Sequence, residues 1–283
     1  MAMSFPQTRL TLIQRLATGG SEKDWQCFLQ DYWGPICRFS LRFGARNLDD
    51  AEDVASQTFE ILWEKGLLTR WTSHRSAKLR TLLCAVVRRI LANRRRVQAN
   101  RQRLAREMVD YLKDPGEIAE EQADVFYSAW VEALVQRAVE SLAAEYYRQA
   151  KGDYVRVLYG RLCQRLSVSE VAGSLEISTS AADNYFRHAK ARLAEKLADE
   201  VRQQAQRYSP PEEIEEETAL EWRHLRQHLE AHGGLEEAVR RTYELLDPVV
   251  ASRRQRTAVA KTLTRLTAIQ APPTVTSVPG GTP

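Results

Sequence analysis

The chain has 283 residues, 43% apolar and 28% charged, and a formal charge of only +4, which is length for about two domains at roughly 150 residues each. No stretch approaches the ~18 uncharged apolar residues of a membrane helix. The opening MAMSFPQTRL lacks the apolar segment of a secretory leader, so a cytoplasmic protein with no membrane association is expected. With 13 Gly, 10 Pro and 7 Phe amid abundant Ala, Leu, Arg, Glu and Gln, the composition favours helix over sheet.

In chain order, residues 1–46 read as helices around Trp25, Phe28, Leu29, Tyr32, Trp33, Ile36, Phe39, Leu41 and Phe43, the second ending at Gly44. Asp49 and Asp50 open the next helix, DDAEDVASQTFEILWEKG. Val54, Ala55, Thr58, Phe59 and Leu62 form its apolar stripe, and Asp53, Gln57, Glu60 and Glu64 lie opposite. A basic, Trp-containing loop is expected at 66–76. It leads into KLRTLLCAVVRRILANRRR, where Leu79, Leu82, Leu83, Val86, Val87, Ile90 and Leu91 keep helical spacing and Arg88, Arg89, Arg95 and Arg96 project elsewhere.

The first domain should therefore span 1–106, followed by an acidic linker at 107–125 and a second helical domain at 126–207. Within the latter, LSVSEVAGSLEISTSAADNYFRHAKARLAEKL reads as two helices joined by a tight turn. Ser167 and Glu170 have capping-box spacing, and Ser178 can cap the longer helix. The outer face of that helix carries Thr179, Ser180, Asp183, Asn184, Arg187, His188 and Lys190. This is a helix-turn-helix pattern, whose second helix can enter a major groove; an ordinary helical hairpin is the alternative. Glu176 stands where the turn commonly holds Gly, and a left-handed Glu there costs ~1–2 kcal/mol. Beyond it, 208–270 reads as a helical extension and the Pro/Gly/Thr-rich 271–283 as a disordered tail.

Charge is segregated along this frame. Residues 65–106 hold thirteen Lys/Arg and no Asp or Glu, whereas 208–222 hold six acidic residues and no basic one. A 42-residue block without an acid suggests a polyanionic partner such as nucleic acid, against the alternative of a solvated Arg-rich surface.

The acidic DDAEDVASQTF helix, the basic LRTLLCAVVRRILANRRR helix and the distal helix-turn-helix together resemble an extracytoplasmic-function type RNA polymerase sigma factor over residues 20–203. LLCAVVRRILAN with QANRQR resembles the planctomycete-like variants of that family more than its common pattern. The resemblance implies core RNA polymerase and promoter DNA as partners, with a possible anti-sigma factor or other regulator. It implies polymerase docking through Asp50, Glu52, Asp53, Gln57 and Glu60. Recognition and opening of the −10 element would fall to Trp71, Arg75, Lys78, Arg80, Arg88, Arg89, Asn93 and Arg96. Trp71 could equally be a core anchor. Leu79 and Leu82 stand where Phe and Trp are frequent in the family, and Asn93 where Asp often stands. Reading of the −35 element would fall to Thr179, Ser180, Asp183, Asn184, Arg187, His188 and Lys190.

Two other readings remain. One is a polymerase-independent helix-turn-helix regulator; the other is a regulatory protein-binding module acting through the extension. No enzyme is expected, because GxxxxGK[ST], GxSxG and HExxH are all missing from the sequence. No cofactor is expected either. Cys27, Cys37, Cys84 and Cys163 form no CxxC pair and read as free thiols. His224, His228 and His232 recur every fourth residue, and a solvated helix face is expected there rather than a metal site. The acidic 212–221 segment could fold back onto the basic 65–106 surface.

Overall fold

Ser21 launches the central helix of the molecule. Its hydroxyl accepts from the Asp24 amide at 3.2 Å while the Asp24 carboxylate accepts from the Ser21 amide at 3.0 Å, so two otherwise orphaned first-turn donors are satisfied. At the far end Gly44 adopts φ 122°, a region that L side chains avoid, and the Ala45 amide closes the helix onto the Ser40 carbonyl at 2.8 Å.

The computed structural model describes residues 11–64, 66–74, 79–95, 120–209, 211–245 and 248–270. Most of the expected linker (107–119) and the whole 271–283 tail lie outside them. In chain order the helices are α1 (Thr11–Ala17), α2 (Glu22–Phe43), α3 (Leu48–Glu64), α4 (Leu67–His74), α5 (Leu79–Arg95), α6 (Glu120–Arg148) and α7 (Gly152–Leu162). They continue as α8 (Val168–Ser174), α9 (Thr179–Tyr208), a 3-10 turn (Pro211–Glu213), α10 (Ile214–Ala231), α11 (Gly234–Leu245) and α12 (Pro248–Gln270). Among the described residues there is no strand, and the chain is all-α.

One expected loop is instead a helix. Leu67, Leu68 and Trp71, at i, i+1 and i+4, are buried together in α4, a stripe that the surrounding polar residues obscured. Likewise α6 starts at Glu120, inside the segment read as linker.

Helix α2 is the hub, packing against α3, α5, α6 and α12. Trp33 stacks on Phe59 of α3 with centroids 5.9 Å apart, Phe39 meets Phe126 of α6 at 5.3 Å, and Tyr32 meets Tyr208 at the end of α9 at 6.1 Å. Each buried aromatic removes on the order of 150–250 Å² from water, so these contacts fix the helices that α2 touches. The two expected domains consequently share one apolar core, which also takes in Leu225, Ala238, Val239, Val259, Leu263 and Leu266 of the extension.

Polar ties reinforce this joint. Asp31 of α2 accepts two bonds from Arg207 at 3.0 Å and one from the Tyr208 hydroxyl at 2.9 Å. Arg38, only 1% exposed, donates to Gln136 of α6 at 2.5 Å and to the Thr242 carbonyl of α11 at 3.3 Å. Arg42 donates to both carboxylate oxygens of Glu132 at 2.6 and 2.7 Å.

Candidate functional site

The short helix α8, its tight turn and the long helix α9 are built as their local sequence dictates. Ser167 accepts from the Glu170 amide at 3.2 Å and its own amide donates to the Glu170 carboxylate at 2.7 Å, which holds that carboxyl below its ordinary range. Gly160 of α7 lets α8 approach, since a Cβ there would sit 3.0 Å from Val171. The chain then reverses through Glu176 at φ 55°, with the Ile177 amide donating to the Ala172 carbonyl at 3.0 Å. Ser178 caps α9 by accepting from Ala181 at 3.1 Å. Behind the turn, Val171, Ala172, Ala182, Ala189 and Leu193 are buried.

Because Glu176 is exposed and left-handed, Glu176→Gly should relieve ~1–2 kcal/mol of backbone strain. Against that stands ~0.4–1 kcal/mol of extra unfolded-chain entropy. The expected net gain is about 0–1.6 kcal/mol, read as a urea midpoint at or above the parent's at unchanged slope; a lower midpoint would contradict the strain assignment.

The outer face of α9 carries the polar residues expected on it. Thr179, Ser180, Asn184, Arg187, His188 and Lys190 are exposed and Asp183 is half-buried. Arg187 is fanned across the face by bonds to Asp183 at 3.1 Å and Asn184 at 2.6 Å. Two of these residues are also tied to the rest of the chain: His188 Nδ1 lies 2.8 Å from the Tyr146 hydroxyl, and Lys190 pairs with Glu236 of α11.

The basic block divides. Arg88 is exposed, and Arg89 and Asn93 are half-buried on α5. Arg75, Lys78 and Arg96 lie outside the described residues. Trp71 and Arg80, expected at the −10 element, are instead buried, at 6% and 4% exposure. Trp71 belongs to the apolar core. Arg80 lies over the Trp130 ring at 3.9 Å and pairs with Glu221 of α10 at 3.4 Å, and Glu221 also accepts from Tyr127 at 3.2 Å. Acidic residue 221 of the extension therefore does meet the basic block, inside the protein rather than across its surface.

The acidic face of α3 is covered by basic α12. Arg254 pairs with Glu52 at 2.9 Å and with Asp49, and Arg265 pairs with Glu60 at 2.5 Å. Ser56 and Thr262 lie 3.1 Å apart between them. Asp50 is engaged from another side: the Arg46 amide and the Arg94 guanidinium hold its carboxyl below its usual range. Asp53 is exposed and Gln57 half-buried, and Asp53 lines the cleft between α3 and α12 with Arg253 and Lys261.

A third constellation involves the histidines read from sequence as a solvated row. His228 is 1% exposed, because that side of α10 packs into the protein. Its ring lies edge-on to Tyr127 at 5.0 Å and stacked on His232 at 4.0 Å. Desolvation, then the neighbouring His232 and Arg241, push its pKa down to about 4. Asp124 of α6, far away in sequence, faces both rings, and nothing in the sequence around it marks it out. The four cysteines are all free, Cys37 and Cys84 being buried; burial raises the Cys84 thiol to about 12.

No protein family, curated protein or solved structure matches this chain.

Proposed function

We propose that the protein is a sigma-type transcription initiation factor, which binds core RNA polymerase through α3 and promoter DNA through α5 and α9, and whose extension holds it closed. One observation carries the polymerase half: the acidic face of α3 is already occupied by a basic helix. Carboxylates of Asp49, Glu52 and Glu60 receive Arg254 and Arg265 from α12, so this face accepts a basic helical partner, in cis here and on the polymerase in the open form. The exposed polar face of α9 supports the DNA half.

The test is capture of core polymerase by the full chain and by Asp53→Arg/Gln57→Arg, an exposed and a half-buried position that both lie outside the apolar core. The wild type should retain polymerase and the double variant should lose it. In the same holoenzyme, Asn184→Ala/Arg187→Ala should weaken promoter binding by ~1–3 kcal/mol per lost base contact. DNA binding without polymerase capture would instead make the chain a free helix-turn-helix regulator.

A further inference from the structure

The Asp124 side chain of α6 converges with His228 of α10 and with His232 at the C-cap of that helix. Their ligand atoms all lie within 4.8 Å of one another. His228 Nδ1 is 3.7 Å from Asp124 Oδ1, and His232 Nε2 is 3.7 Å from Asp124 Oδ2. Both separations are too long for hydrogen bonds, and the His228 side chain, 1% exposed, leaves its Nδ1 without a hydrogen-bond partner. An unsatisfied ring nitrogen buried in the protein and aimed at a carboxylate is an anomaly that a bound cation would resolve.

The outer contacts match what ligating imidazoles need. The other nitrogen of His228 lies 3.2 Å from the Ser128 hydroxyl, and His232 Nδ1 lies 2.8 Å from the His228 carbonyl. A carbonyl only accepts, so His232 Nδ1 carries its proton and Nε2 presents a free lone pair toward Asp124. Tetrahedral ligands about 2.0–2.2 Å from zinc stand ~3.3–3.6 Å apart, slightly closer than the two His–Asp separations of 3.7 Å, which run to different carboxylate oxygens, so the 4.8 Å set contracts on binding. Access is available too, because Asp124 is 41% and His232 28% exposed, leaving one side for entry and for a water as fourth ligand. Two imidazoles and one carboxylate suit zinc and its neighbours rather than magnesium or calcium.

We propose that Asp124, His228 and His232 bind a divalent transition-metal cation of zinc's type, which joins α10 of the extension to the start of α6. The site is independent of the sigma-type reading. Its test uses the full-length, tag-free chain titrated with zinc chloride by calorimetry, and melted with and without chelator. One zinc per chain is expected, with a rise in melting temperature that chelator reverses. Asp124→Asn and His232→Gln are conservative changes at part-exposed positions, so both should fold with the wild-type melting curve in chelator. Each should lose at least ~100-fold in zinc affinity, beyond what removing an outer partner such as Ser128 costs. His224→Gln should bind as the wild type does. Cobalt bound to the wild type gives a readout free of any variant, the intense visible absorption of a four-coordinate site. Wild-type affinity in either Asp124→Asn or His232→Gln, no zinc bound at micromolar concentration, or cobalt with only the pale spectrum of the aqua ion would each overturn the assignment.

Discussion

Glu132→Leu is expected to lose about 3–5 kcal/mol of unfolding free energy, and adding Arg38→Met should restore most of it. Glu132, 3% exposed at its side chain, sits between Arg42 at 2.6 Å and Arg38 at 3.7 Å. Arg42 is 25% exposed and can turn to water when the carboxylate is removed, but Arg38, at 1%, cannot. Desolvation already lowers the Arg38 pKa, with Glu132 the leading charge that opposes the shift. Without that carboxylate the hydrogen bonds of the guanidinium among the described residues go to Gln136 and one carbonyl of α11, neither of which carries a balancing charge, and Glu140 opposes its desolvation less strongly than Glu132 did. The asymmetry between breaking a buried ion pair and replacing it whole decides the outcome: the single variant strands a charge, whereas the double variant buries two apolar chains of similar volume. Urea unfolding of the single and double variants checks this. A single-variant loss below ~1 kcal/mol, the range of exposed pairs, would show that Glu132 reaches solvent in the folded state. Since the network spans α2, α6 and α11, its loss should also loosen the docking of α11 on α2 and α6, while the shared apolar core keeps the helices together.

What the sequence disclosed was what is local in the chain. The Ser167–Glu170 cap, the Ser178 cap, the left-handed Glu176 and the stripe from Leu79 to Leu91 depend on spacings of a few residues, and all stand in the structure as read. Helix periodicity reports which face is buried, not what buries it. The resemblance made Arg80 a DNA contact, and nothing local showed its cover, Trp130, Tyr127 and Glu221, which α6 and α10 contribute. His228 and His232 showed their common face through i, i+4 spacing, but Asp124 became their neighbour only through the docking of α10 on α6. The same limit hid the relation between α3 and α12, one acidic and one basic, whose complementarity is plain in composition but whose pairing belongs to the tertiary fold.

That pairing sets the second large effect, the release of α12 from α3. Arg254 is 37% exposed, so its ion pairs are each worth only ~0.2–1 kcal/mol and weaken with salt; Arg265 is 60% exposed but its partner Glu60 only 4%, so that pair is screened less. Val259, Leu263 and Leu266 of the same helix are buried, Leu266 completely, and burying such side chains is worth ~1.5–3 kcal/mol apiece. Apolar contact therefore holds the helix in place and charge sets its register. Leu266→Ala should weaken the closure by about 2–5 kcal/mol, against ~1–3 kcal/mol for Arg254→Glu/Arg265→Glu, counting the pairs lost and the repulsion added. If α12 competes with polymerase for α3, both variants should raise polymerase affinity, the leucine variant more, and the charge variant by roughly 5–150-fold for a coupling of that size. Salt distinguishes the two: the gain from Leu266→Ala should persist as ionic strength rises, while that from the charge reversal should shrink as screening weakens the ion pairs in the parent. Polymerase affinity unchanged in both variants, with α12 shown by hydrogen exchange to be released, would mean that α12 stabilises the fold without guarding the α3 face.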